Sequence, residues 1–252
     1  GNSAQLSALT LGTGDSIATL TTSDAADVTE ATAMHSRATT VTAYALEDTS
    51  ANVVAASTAV RNGASSINTT GSSGTATLAQ SRVLDAATAT DANTVFALKD
   101  TAANILSATT TELARGTGSN NSVVVDETTA ISAAQATSLR TLDTANATFE
   151  IDGSTSGAAG NFKISDTGAN LKASSNSGEV AASTNVTVTD ALSLSDANTI
   201  VGSTPSGATV SYKLTGTFAS LLNTSALAIP AVRTGGTAST GGRKLSLTEI
   251  TV

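Results

Sequence analysis

The sequence predicts a β-rich repeat protein, an elongated solenoid-like stack of strands with short helical turns at its corners. The main observation is a ten-residue phrase that occurs as ALEDTSANVV at 45–54, ALKDTAANIL at 97–106 and KISDTGANLK at 163–172. The composition points the same way, because hydrophobic residues make up 40% of the chain but aromatic residues only 2%. Repeats that recur every 20–50 residues are typical of stacked architectures, in which each unit buries its apolar face on the next.

The repeated phrase has a constant internal order. An alternating aromatic-x-aliphatic triplet leads into Asp-Thr, and Ala-Asn and an aliphatic residue follow. A degenerate fourth copy, YKLTGTFASLL at 212–222, has Gly216 where the others have Asp. The sequence therefore predicts a repeat region over 1–222 with copies near 44–54, 96–106, 162–172 and 212–222.

Each unit is predicted to be a strand, a corner and one helical turn. TVFAL at 94–98 alternates and is rich in β-branched and aromatic residues, as strands are. Asp is a preferred helix N-cap, and the TAANIL run after it is too short to be a stable helix without packing partners. Period-2 runs also predict strands in SVVVDE at 122–127 and NVTVTD at 185–190.

A second phrase, built on a small residue followed by Asp or Gln, lies between the copies of the first. Its centres are Asp24, Gln80, Gln135 and Asp196. An insertion near 143–160 separates the second and third copies of the main phrase, and it reads as an extra strand, ATFEI, followed by a Gly-rich turn.

The C-terminal segment, 223–252, is predicted to hold a Gly-rich linker and a terminal strand. KLSLTEITV at 244–252 alternates cleanly. This strand closes the sheet of its own chain or adds to a neighbouring subunit, and the first alternative is slightly favoured.

Composition excludes several classes of function. The formal net charge is −8 and the 12 basic residues form no cluster, so nucleic-acid binding is not expected. No apolar run approaches the roughly 20 residues of a membrane span. The chain lacks Cys and opens on Gly1. We therefore expect neither disulfides nor thiolate chemistry, and a chain that is processed or part of something longer.

Catalytic motifs are also missing. His35 is the single histidine, no nucleophile elbow accompanies it, and a lone surface side chain is the favoured interpretation. We predict no catalytic residues, no cofactor and no enzyme activity.

Nine recurring polar residues are predicted to be structural corner residues. Asp should cap local backbone and Asn should turn inward as in other stacked repeats, so Asp100 is expected to cap and Asn104 to be buried. The nine are Asp48, Thr49, Asn52, Asp100, Thr101, Asn104, Asp166, Thr167 and Asn170.

Calcium is the alternative for the aspartates among them. Asp48, Asp100 and Asp166 are the candidate ligands, because Ca²⁺ prefers carboxylate and carbonyl oxygens. One Asp per corner supplies too few oxygens, and Gly216 replaces Asp in the fourth copy, so corner capping ranks above calcium binding.

The phrase with Asp-Thr-x-Ala-Asn at its centre resembles the repeats of large bacterial extracellular proteins of the β-strand-repeat or haemolysin-type group. That resemblance covers about residues 16–222 and implies an adhesin, a surface-layer protein or a matrix protein at the cell surface. We therefore expect a non-enzymatic extracellular structural protein that forms a filament or layer with copies of itself, end to end or by strand addition. The alternative is a section of an adhesin or phage-type fibre that binds a glycan.

Overall fold

The computed structural model describes residues 1–11, 17–42, 44–70, 74–86, 94–115, 122–126, 130–146, 149–152, 162–217, 237–240 and 243–251. The chain divides into two compact units. Unit 1 comprises Gly1–Asp100 and Ala108–Val124, and unit 2 comprises Thr101–Ser107 and Val125–Val252.

Helices and strands are interspersed along the described chain. The helices are α1 (Ser3–Ser7), α2 (Val28–Arg37), α3 (Ser50–Ala55), α4 (Thr58–Gly63), α5 (Leu78–Ala86), α6 (Ala102–Ser107), α7 (Thr110–Leu113), α8 (Ala133–Thr144), α9 (Gly168–Lys172), α10 (Ser177–Ala182) and α11 (Leu194–Ser203), with a 3₁₀ turn at Ser174–Asn176. The strands are β1 (Ile17–Leu20), β2 (Ala38–Val41), β3 (Tyr44–Thr49), β4 (Ala64–Thr70), β5 (Thr75–Ala76), β6 (Thr94–Val95), β7 (Ala97–Asp100), β8 (Ser122–Val125), β9 (Glu150–Asp152), β10 (Lys163–Asp166), β11 (Asn185–Leu192), β12 (Thr209–Thr215), β13 (Thr237–Thr240) and β14 (Arg243–Thr251).

This architecture contradicts the predicted β-rich, elongated solenoid-like stack. The protein is mixed α/β, with more helix than strand and several small parallel sheets. The error has a physical origin, because stretches between the predicted strands form true helices of several turns. AAQATSLRTLDT, for example, is the twelve-residue helix α8. Its Ala133, Ala136 and Leu139 are all buried at the spacing of a helix face.

The sheets of unit 1 are small and mainly parallel. β1 pairs with β2, β3 with β4, β4 with β6, and β5 with β7. Each parallel pair needs a crossover that returns the chain to the same end of the sheet, and helices supply it. Leu46, Ile67 and Leu98 point from these strands into a core that is closed to solvent.

Unit 2 contains a five-stranded sheet in the order β10-β11-β12-β14-β13. Only the β13–β14 pair is antiparallel. Alternate residues of β12, namely Val210, Tyr212 and Leu214, are buried, whereas their neighbours face outward. The strand SVVVDE is confirmed as β8 and NVTVTD as part of β11.

The terminal strand KLSLTEITV is confirmed as β14, and it lies between β12 and β13 of its own chain. Of the two alternatives for this strand, the structure therefore shows the one in which it completes the sheet of its own chain. The extra strand at the insertion is β9, but the Gly-rich turn after it and the predicted boundary between 222 and 223 lie outside the described residues.

Candidate functional site: carboxylate caps between neighbouring strands and helices

The recurring Asp residues hold helix N-termini that lie 20 to 33 residues earlier in the sequence. Asp48 accepts a hydrogen bond of 3.1 Å from the backbone N–H of Val28, the first residue of α2. Asp100 does the same for Leu78 of α5 at 2.8 Å. The first N–H groups of a helix have no partner within the helix, so each carboxylate satisfies a donor that would otherwise need another acceptor.

Three further contacts follow the same pattern. Asp24 accepts from Ser3 N–H at 2.6 Å, Asp166 from Ala133 N–H at 3.0 Å, and Asp190 from Gly168 N–H at 2.7 Å. In each case the donor is the first residue of its helix. We call these five interactions the carboxylate caps.

Strand register explains why the same contact recurs. Ala76 is paired with Leu98 across β5 and β7. The cap joins the residues two positions further on, Leu78 and Asp100. Parallel strands lie about 4.8 Å apart, so a carboxylate at this position reaches the helix that begins beside it.

The same two-residue step holds for three other caps. The Asp48 cap lies two residues beyond the pair Ala26–Leu46. The Asp166 cap lies two residues beyond the pair Ile131–Ile164, and the Asp190 cap two residues beyond the pair Asp166–Val188.

The Thr of the repeated phrase caps its own helix. The hydroxyl oxygens of Thr49, Thr101 and Thr167 accept from the backbone N–H three residues later, at 3.2–3.3 Å. Each of these short helices thus begins at a Thr that satisfies one N–H, as N-cap residues do.

The Asn of the phrase is a surface residue, and the prediction that Asn104 is buried is wrong. Asn52, Asn104 and Asn170 are all exposed. The side-chain amide of Asn52 donates to Asp48 Oδ1, and that of Asn170 donates to Asp166 Oδ1, both at 2.7 Å. Residues four apart lie on the same face of a turn, which keeps this contact at the surface.

Three N–H donors thus converge on one carboxylate. Asp48 receives the N–H of Val28, the N–H of Thr49 at 2.7 Å and the amide of Asn52. Partial burial pushes the pKa of Asp48 upward, but the hydrogen bonds from Asn52, Thr49 and Val28 outweigh it and hold the pKa below its ordinary value.

A carboxylate that faces N–H donors stabilises a helix end, and it is poorly arranged for a cation, which needs oxygen ligands instead. Across the described ranges, no three His, Cys, Asp or Glu residues lie close enough together to hold a metal ion. The geometry therefore favours a scaffold role for Asp48 and Asp166 over the calcium alternative.

Helix N-termini that sequence reasoning missed carry a second signal. Asp27 with Glu30, Thr109 with Glu112, and Ser132 with Gln135 form capping boxes, in which the two residues bond each other's backbone N–H. The S/T/D-x-x-E/Q pattern is visible in the sequence and would have marked these helix starts.

Ion pairs join several of the described helices, and two of them involve arginine. Arg82 of α5 meets Glu112 of α7 at 2.7 Å, and the pKa of Glu112 is lowered to about 2 by hydrogen bonds from Arg82 and Thr109. Arg140 of α8 forms an ion pair with Glu179 of α10, which is almost fully buried. Burial raises the pKa of Glu179 even though Arg140 opposes that change.

His35 is not the lone surface side chain that the sequence predicts. It is half-buried, and its Nε2 lies 3.2 Å from the hydroxyl of Tyr44.

Comparisons with protein families, with characterised proteins and with solved structures find no match for this chain.

Proposed function

We propose that this chain is a non-enzymatic structural protein of the bacterial cell exterior, a subunit that assembles with copies of itself into a filament or surface layer. The observation that carries the proposal is that the recurring polar residues are used to join secondary structure. Asp48, Asp100 and Asp166 each hold a helix start, and the Thr that follows each of them caps a helix. A motif repeated for this purpose serves architecture rather than chemistry.

The treatment of polar side chains elsewhere supports the same proposal. The single His contacts Tyr44, and the carboxylates of Glu112 and Glu179 face arginines.

None of the described helices combines the length and apolarity needed to cross a membrane.

Strand addition at β13 is one route to assembly with a second copy. Within the described residues β13 is the last strand of the five-stranded sheet, and its one recorded partner is β14. An edge strand presents backbone N–H and C=O groups to which another strand can pair.

Negative-stain microscopy of the purified chain over a series of concentrations, with and without Ca²⁺, tests the proposal. Regular polymers are expected. The double substitution Ala238→Lys with Thr240→Lys charges the β13 edge and should abolish them, because charged edge strands resist pairing. Thr32→Lys with Ser36→Lys, on the exposed face of α2, is the matched control and should leave polymers intact. A chain that stays monomeric at every concentration refutes assembly.

Glycan binding is the second candidate, and one surface favours it. Ser165, Thr187, Ser211 and Ser246 lie side by side across four parallel strands, and all four are half-exposed. Such a row of hydroxyl groups can exchange hydrogen bonds with sugar hydroxyls.

The positions of the aromatic residues argue against a surface on which sugar rings could stack. Every described aromatic ring is buried, namely Tyr44, Phe96, Phe149, Phe162 and Tyr212. A specific signal on a glycan array that is lost in Thr187→Val would replace the structural proposal with the adhesin.

A further inference from the structure

His35 joins three elements of unit 1 through one chain of hydrogen bonds. It lies in the last turn of α2, and its Nε2 is 3.2 Å from the hydroxyl of Tyr44 at the start of β3. The same hydroxyl donates to the carbonyl of Val60 in α4 at 2.5 Å. The two rings meet edge to face, with centroids 5.9 Å apart.

The proton positions in this relay follow from the chemistry of its last member. A carbonyl only accepts, so the hydroxyl proton of Tyr44 points to Val60 and the hydroxyl oxygen is left to accept. His35 must then donate from Nε2. Its neutral form already satisfies the relay, and a second proton on Nδ1 adds charge without adding a bond to Tyr44.

No described carboxylate is placed to balance that charge. The elements that pack most extensively against α2 are α1, β2, β3 and α4. α1 and β2 contain no charged residue, and α4 contributes the cation Arg61.

The acidic residues on these elements are distant along the chain or already engaged. Glu47 and Asp48 stand three and four residues beyond Tyr44, roughly 10 Å or more along β3. On α2 itself, Glu30 accepts from Asp27 N–H more than one helical turn away, and Arg37 is a second cation in the last turn. Among the described residues, His35 forms no ion pair with Asp or Glu.

The ring also has little room to move toward α4. A Cβ atom placed on Gly63 would lie 2.8 Å from His35 Nε2 and 3.3 Å from the ring of Tyr44. The imidazole therefore sits against the backbone of α4 at its last residue. A charged ring cannot swing that way to gain solvent unless α4 shifts.

We propose that the His35–Tyr44–Val60 relay is a pH-sensitive clamp, which holds α2 and α4 on β3 while the imidazole is neutral and loosens when it takes up a proton. The inference does not depend on the proposed function. Burial lowers the pKa of His35 from its ordinary value, in agreement with this direction. The clamp is then fully present above about pH 6.5, the pKa of an unfolded His, and is lost as pH falls through the lower folded value.

Proton NMR tests the clamp cleanly, because the chain contains one His and no Cys. We expect the imidazole of the native protein to titrate below about 6.5. Ser36→His adds an exposed imidazole one residue further on, and its extra resonance should titrate near the ordinary value. A native His35 value at or above the ordinary one overturns the proposal.

Unfolding by urea at about pH 7.5 and about pH 5.5 gives the second test. The midpoint should fall on acidification in the wild type and in Ser36→Thr, and should change little in His35→Gln. An equal fall in His35→Gln overturns the clamp. If His35→Gln does not fold, Tyr44→Phe takes its place in the urea comparison. If neither variant folds, the NMR titration of the wild type decides.

Discussion

The carboxylate of Asp100 accepts a hydrogen bond of 2.8 Å from the backbone N–H of Leu78, 22 residues earlier in the chain. Both residues are buried. The contact fastens the first turn of α5 to the end of β7, so one side chain fixes where a helix begins relative to a strand. Four other Asp residues also accept from the N–H of the first residue of a helix.

Asp100→Ala should destabilise the protein by about 1–3 kcal/mol, the cost of a buried donor left without its acceptor. Asp100→Asn keeps an acceptor and should lose less. Urea unfolding at neutral pH measures both. Glu47→Ala, on an exposed position of β3, is the control and should stay within about 0.5 kcal/mol of wild type. Equal effects of Asp100→Ala and Glu47→Ala would show that the cap contributes nothing.

Gly216→Asp should create a sixth carboxylate cap. Leu192 pairs with Leu214, and the residues two positions further on are Leu194, which begins α11, and Gly216. A carboxylate there should stabilise the protein by about 0.3–1 kcal/mol at neutral pH. Gly216→Asn, similar in shape but uncharged, controls for the backbone change. The gain of Asp over Asn should disappear below about pH 3, where Asp is protonated.

Gly168→Ala should destabilise the protein, whereas Gly202→Ala should not. A Cβ on Gly168 would meet Leu192 Cδ2 at 2.2 Å, and Leu192 is itself buried. Overpacking of this kind costs about 1–3 kcal/mol. Gly202 lies inside α11 with nothing within 4 Å of such a Cβ, so Ala should stabilise the helix by about 0.5–1 kcal/mol. Thermal unfolding of both variants checks the predicted opposite signs.

Glu112→Gln should reduce the loss of unfolding free energy that the protein shows as pH falls below neutral. The folded pKa of Glu112 is lowered to about 2, first by the hydrogen bond from Arg82 and then by Thr109. Its contribution is therefore present above an unfolded pKa of about 4.3 and is lost as pH falls toward 2. Urea unfolding from neutral pH down to about pH 3 should show a smaller fall in the variant. High salt should reduce the difference, because Arg82 is exposed.

Arg140→Met should make stability fall as pH rises. Without Arg140, ionised Glu179 would be buried with no opposite charge, a costly arrangement. Adding Glu179→Gln to the Arg140→Met variant should restore the stability that Arg140→Met loses at neutral pH. A double-mutant cycle at about pH 5 and about pH 7.5 measures the coupling, and additive effects at both would contradict it.

Sequence patterns predicted the strands well where alternation was strict. SVVV and NVTV bury alternate residues on one face, and a period of two is hard to imitate by chance. The terminal strand has the same alternation in its sequence and forms β14. The helices were missed because their buried faces are made of Ala and single aliphatic residues. Ala31 and Met34 of α2, for example, are buried in a helix otherwise rich in Thr, Ser and Ala.

The repeated Asp is predicted to cap nearby backbone, and Asp48 and Asp166 do accept from the N–H of the following Thr, but the contact with a distant helix start is not predicted. Asp100 reaches the N–H of Leu78 because β5 and β7 pair in one register. A short sequence motif does not determine the register between strands that are distant in the sequence. The surface position of Asn52 was readable, because an amide four residues after Asp48 lies beside its carboxylate.

In every carboxylate cap the Asp follows its helix in the sequence, so the caps can form only in a fixed order during synthesis. Each helix start in the series is held by an Asp that comes later in the sequence. During synthesis from the N-terminus, at about 5–20 residues per second, a helix such as α5 is complete before Asp100 emerges. Each of these five helices therefore gains the acceptor for its first N–H only after a later Asp has been added to the chain.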